Sequence, residues 1–209
     1  MKNLILLLIL VTIAIPASGA ILITEVYYDH AGADTDYEWV ELLNTSSSPM
    51  DLTGYQLACG GTDYSFNVTI LDFEIPGCST AVVGGPISVP GNGNPVFSQA
   101  VVLNIQNSGT MSDGVALFAP GSDPAFDCPL DAVIYGGANT NNLLDESCTI
   151  GAVDAPDVSA GNSIERVADA GIWATQSVPN PNHVNFSFDC DGVVPVSERT
   201  WDGVRALYR

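Results

Sequence analysis

Residues 36–57, DYEWVELLNTSSSPMDLTGYQL, decide the fold. Aromatic, branched and aliphatic side chains fill 37–44, a polar run holding Pro49 follows, and apolar residues resume at Leu52. Such a stretch suits two pleated strands joined by a turn. In the first strand Glu38, Val40 and Leu42 share one face, while Trp39, Glu41 and Leu43 share the other.

The pattern continues in both directions. ILITEVYYD (21–29) precedes it as a strand. LTGYQLAC (52–59), DYSFNVTILDFEI (63–75, one or two strands), TAVVGG (80–85), QAVVLNI (99–105), GVALFA (114–119), LDAVIYG (130–136) and NSIERVA (162–168) follow. NSIERVA reads as the last strand. A Gly/Pro/Asn loop spans 85–98 and a long loop spans 137–161. Short strands with turns at near-regular spacing, and no helix before residue 200, predict an all-β sandwich of nine to ten strands.

Composition bounds the rest. The 209 residues suffice for one ordinary domain, and 46% hydrophobic against 14% charged residues argues for a folded chain. Acids outnumber Lys and Arg by 24 to 5, for a net charge of -19. This disfavours direct binding to nucleic-acid phosphates and to anionic membranes, and favours cations and basic partners.

The first twenty residues read as a secretory leader: Lys2, an apolar run over 4–15, Pro16, then small residues ASGA for cleavage. No later segment is long and apolar enough to anchor the chain in a membrane. The expected organisation is a signal peptide (1–20), a sandwich domain (21–186) and a C-terminal tail (187–209). The expected location is extracytoplasmic, secreted or in the cell envelope. Five cysteines suit that oxidising compartment. Without a C-x-x-C knuckle they read as disulfides rather than zinc ligands. The preferred pairing is Cys59–Cys78 and Cys128–Cys148, each closing about 20 residues, with Cys190 as the odd thiol.

Four motifs in order carry a resemblance. ITEV (23–26), EWVELLN (38–44) with DLTGYQL (51–57), DAVIYGG (131–137) and GNSIERV (161–167) resemble the lamin tail domain family, bacterial secreted type, over residues 21–185. The resemblance implies an immunoglobulin-like β-sandwich acting as a non-enzymatic binding or structural module. Its partner would be a protein or cell-surface ligand. The chromatin role of nuclear relatives is not carried over, because this chain lacks a basic surface. The reading from another class is a secreted calcium-dependent hydrolase, or an accessory to a hydrolase or nuclease.

Candidate sites follow from residue chemistry. Arg166 is the only Lys or Arg between Lys2 and Arg199. If Val40, Leu42 and Ile164 face the core, Arg166 shares their side and would pair with Glu38, or else with Glu41, as a structural salt bridge. His30 and His183 lie in no catalytic or metal motif and read as loop histidines. Calcium is the only cofactor considered, since it takes six to eight oxygen ligands. One acidic loop holds Asp29, Asp34, Asp36 and Glu38. The other, SFDCDGVVPVSE (187–198), places Asp189, Asp191 and Glu198 on EF-type positions but lacks the leading Asp and helix. A solvated acidic surface is the alternative for both. Asn44, Asn67 and Asn185 head N-x-[ST] sequons. In the tail, TWDGVRALYR (200–209) reads as a helix with an apolar stripe and Arg flank. Trp201, Arg205, Tyr208 and Arg209 would either dock on the sandwich or bind a partner.

Overall fold

A computed structural model of the chain describes residues 20–107, 110–168, 171–188 and 190. Twelve strands run in order: β1 (Ile21–Tyr27), β2 (Trp39–Asn44), β3 (Met50–Asp51), β4 (Gln56–Gly60), β5 (Asn67–Ile70), β6 (Glu74–Ile75), β7 (Ser79–Gly84), β8 (Phe97–Ala100), β9 (Ser112–Phe118), β10 (Asp131–Gly136), β11 (Ser163–Ala168) and β12 (Ile172–Gln176). They build a six-stranded sheet, β12-β11-β1-β2-β7-β8, facing a four-stranded sheet, β10-β9-β4-β5. The short β3–β6 pair closes one end. This is an immunoglobulin-like β-sandwich, and every pairing is antiparallel except β7 with β8.

Alternation explains the core. Val40 and Leu42 of β2, Ala81 and Val83 of β7 and Ile164 of β11 point inward. They meet Leu57 and Cys59 of β4, Val115 and Leu117 of β9, and Val133 and Tyr135 of β10. In β1, Ile23 and Val26 both face the core although three residues apart. A bulge between Ile23 and Glu25 resets the alternation and makes this possible. The outer face of the four-stranded sheet is also apolar, with Ala58, Ala116, Phe118, Ala132 and Ile134 covered by Tyr64 and Leu143. Every residue of β2 is buried because both faces of that central strand are covered.

Several strands differ from the sequence reading, and the strand read over 52–59 runs from Gln56 to Gly60. The strand near residue 99 starts and ends earlier, at Phe97–Ala100. Beyond it Leu103 and Ile105 enter the core from an irregular segment. NSIERVA is not the last strand, because β12 pairs with it antiparallel. Asn44 does not suit glycosylation. It is fully buried and its Nδ2 donates to the carbonyls of Ser48, Ile75 and Pro76, pinning the Pro49 turn to the end of β6.

The cysteine pairing also differs. Cys78 is joined to Cys190, with Cα atoms 5.8 Å apart, and Cys128 to Cys148, with Cα atoms 5.2 Å apart. Cys59 is the buried free thiol, and Cys190 is bonded. Cys59 cannot meet Cys78 because alternation in β4 turns it into the sandwich, its Sγ 3.3 Å from the Asn104 carbonyl. Cys78 lies at the start of a strand in the other sheet.

Candidate functional site

Register aligns three glutamates on neighbouring strands. Glu165 of β11 lies opposite Glu25 of β1, and Glu25 lies opposite Glu41 of β2. The same row continues to Val82 of β7 and Phe97 of β8. All three carboxylates lie on the outer face of the six-stranded sheet, and all three residues are buried. Residues 176–185 cover them. The Asn180 N–H donates to Glu25 Oε1 at 3.3 Å, and the Asn182 N–H to Glu41 Oε2 at 2.5 Å. Gln176 Nε2 donates to Glu165 Oε2 at 3.0 Å, and Asn185 Nδ2 to Glu165 Oε1. From the sheet, Ser163 Oγ donates to Glu25 Oε1 at 2.5 Å and Thr24 Oγ1 to Glu41 Oε1 at 2.7 Å. Glu25 Oε2 is buried with no hydrogen-bond partner.

Burial dominates the electrostatics of this row. Desolvation pushes the Glu25 carboxyl up to about 8, against the Ser163 and Asn180 hydrogen bonds and with repulsion from Glu41 and Glu165. Desolvation likewise pushes Glu41 up to about 7 and raises Glu165. Like charges on directly opposite strand positions repel, which adds to burial in favouring the protonated forms.

Beyond Glu25 and Glu41 along the same face lies an aromatic group. Tyr27 stacks on Trp39 with ring centres 5.8 Å apart. The indole Nε1 donates to the Asn92 carbonyl at 2.9 Å, tying down the loop before β8. The Tyr27 hydroxyl lies 2.7 Å from His30 Nδ1, and the His30 ring stacks on Tyr37 at 4.1 Å. His30 is thus held by packing on an acidic loop, with its backbone N–H donating to Asp34 Oδ1 at 3.0 Å.

The expected partners of Arg166 are corrected by the structure. Its guanidinium does face the core side, but it pairs with Asp131 of β10 across the sandwich, Nη2 lying 2.7 and 2.8 Å from the two carboxylate oxygens. Arg166 Nε donates to the Ile23 carbonyl at 2.8 Å, and the Ile23 N–H donates to Asp131 Oδ2 at 2.6 Å. The Trp173 ring lies under the guanidinium, 5.2 Å from centre to Cζ. Register excludes Glu38. The pairing of Glu25 with both Glu165 and Glu41 sets Arg166 level with Leu42, four residues or about 13 Å along the strand from Glu38. Glu41 points to the opposite face. Glu38 is instead buried against the Ile105 N–H, its Oε2 accepting at 3.0 Å, and burial pushes it up to about 8.

The acidic loop at 29–38 does not converge. Among the described residues no group of three or more His, Cys, Asp or Glu side chains is placed to hold a metal ion. Asp34 caps His30, Asp36 is exposed, and Glu38 turns inward. Asp189, Asp191 and Glu198 lie outside the described residues, as do Trp201, Arg205, Tyr208 and Arg209. A cleft of about 150 Å³ beside Arg166 is lined by Asp145, Glu146, Asp154 and Trp173. Two of its carboxylates serve loop geometry: Asp145 Oδ1 accepts from the Ser147 N–H and Asp154 Oδ2 from the Ile134 N–H.

Sequence reasoning missed Asp131, Glu25 and Glu165 as site residues. The available signal was their strand parity: each is an acid placed among apolar neighbours in a strand. Which acids share a row depends on strand order and on the β1 bulge, and neither is written in local pattern.

Comparison with curated proteins returned no match. The family model described as Lamin Tail Domain matches residues 14–146, more than half of the chain. That span begins within the stretch read as a leader and takes in β1 to β10. The closing β11–β12 pair, with Arg166 and Glu165, lies beyond it. With the two facing sheets and this match together, the chain belongs to the lamin tail domain family.

Proposed function

We propose that the chain is an exported, non-catalytic lamin-tail module that binds a protein or cell-surface ligand in the cell envelope or extracellular space. The observation that carries this reading is the pair of disulfides. One ties Cys78 to Cys190 across 112 residues, a link that persists in an oxidising compartment. The apolar leader and the acidic, lysine-poor body agree with it. The buried acids support a module rather than a catalyst, since the glutamate row is covered by residues 176–185 and the Arg166 guanidinium is taken up by Asp131. Residues 191–209 then serve as the handle for a sorting or assembly partner.

The test is fractionation of cells producing the full chain, with mass mapping of the exported form without reduction. The expected result is a mature chain beginning near Ile21, outside the inner membrane, with both disulfides formed. Cytoplasmic protein with five free thiols rejects the reading. For the handle, a chain ending after Cys190 keeps its melting temperature and loses its location or partner. A lowered melting temperature with location unchanged makes the tail part of the fold.

A further inference from the structure

Among the described residues the glutamate row has no Lys or Arg beside it. Arg166 is the only Lys or Arg between Lys2 and Arg199, and its guanidinium is committed to Asp131 on the opposite face of the sheet. The groups around the row are accounted for element by element. β11 contributes Glu165 and Ser163, β1 contributes Glu25, and β2 contributes Glu41. β12 brings the amide of Gln176, and β7 brings Val82. The covering segment brings His183, which favours the charged form of Glu165. Three carboxylates one strand apart, with one exposed imidazole nearby, cannot all be ionised under a cover without strong repulsion.

Glu25, in the middle, has an oxygen that is fully buried and accepts nothing. A proton on this oxygen removes the central charge. Asn180, Asn182 and Asn185 each donate to one of the three carboxylates, and the cover also meets the loop before β8, where the Val96 N–H donates to Asn182 Oδ1 at 3.2 Å. It is tethered at both ends, by β12 on one side and by the Cys78–Cys190 bond on the other.

We propose that the Glu165–Glu25–Glu41 row is a proton-operated latch: residues 177–188 lie over the outer face of the six-stranded sheet while the row keeps a proton, and lift as a tethered loop when all three carboxylates ionise. Lifting would uncover the row and the face that runs on to Val82 and Phe97.

The test is hydrogen exchange of the mature, oxidised full chain from about pH 6 to about pH 9, corrected for intrinsic rates. The expected result is a reversible loss of protection over 177–188 of at least about tenfold, while amides of β4, β9 and β10 keep theirs. Glu25→Gln, a neutral isostere of the protonated side chain, should hold 177–188 protected throughout. Glu38→Gln, on the core side, should follow wild type, and so should His183→Gln. A flat wild-type profile overturns the latch, as does loss of protection in step with β9 and β10. An unchanged profile in Glu25→Gln, or a flattened one in His183→Gln, overturns it as well. If Glu25→Gln does not fold, the wild-type and His183→Gln profiles decide.

Discussion

Asp131 and Glu25 are buried to nearly the same degree, 3% and 0% exposed, and both belong to the layer around β1. They meet the cost of burial differently. Asp131 faces the core and has a guanidinium across two oxygens, the Ile23 N–H on one of them, and so stays ionised at neutral pH although burial raises it to about 6. Glu25 faces outward between two other glutamates and has hydrogen bonds to one oxygen only. The chain has spent its one central cation on locking sheet to sheet. The outer face is left to be neutralised by protons, which come and go with pH. A paired buried charge makes a fixed joint, whereas an unpaired buried row makes a titratable one.

The strongest way to break the contrast is to orphan the inner pair. Asp131→Ala or Arg166→Ala leaves an uncompensated buried charge and should cost about 3–5 kcal/mol in denaturant unfolding. Replacing both with apolar residues should cost less than either single change, because no charge is then stranded. Removing the Cys78–Cys190 bond with Cys190→Ser is next, at about 2–4 kcal/mol by thermal or urea unfolding, because that bond closes the longest loop.

The row itself gives a pH effect whose sign follows from its raised values. Glu25 at about 8 and Glu41 at about 7 exceed the ordinary 4.5, so the folded chain holds protons that the unfolded chain releases. Their stabilising contribution is complete below about 4.5 and is lost as pH rises through 7 to 8. Unfolding free energy should fall by several kcal/mol between about pH 5 and about pH 8.5. Glu38, also raised to about 8, contributes with the same sign, so Glu25→Gln and Glu38→Gln should each flatten part of the curve. A curve that rises over this range contradicts the proton account.

The smallest effect sharpens the contrast from outside. Asp36 is exposed and solvated, so Asp36→Asn should change stability by less than about 0.5 kcal/mol. Calcium and magnesium should raise the melting temperature of wild type equally, by screening alone. A calcium-specific rise lost in Asp36→Asn would restore the loop as a metal site.

Local pattern by itself determined a good deal of this protein. The period-two runs around 36–57 and the turn residues between them specify strands and their inward faces. Val40, Leu42 and Ile164 are in the core as their parity requires, and Arg166 shares their side. The ordered motifs specify the family. Side-chain alternation and turn chemistry are short-range properties, so they are legible one segment at a time. Tertiary structure alone decided the partners. Asp131 reaches Arg166 because the two sheets stack, Cys190 reaches Cys78 because the chain returns over the sandwich, and Cys59 stays free because β4 turns it inward. The three glutamates form one row because β1 lies between β11 and β2 and its bulge sets the register. Each of these joins residues far apart in sequence, and such pairings are fixed by strand order and register rather than by any local spacing.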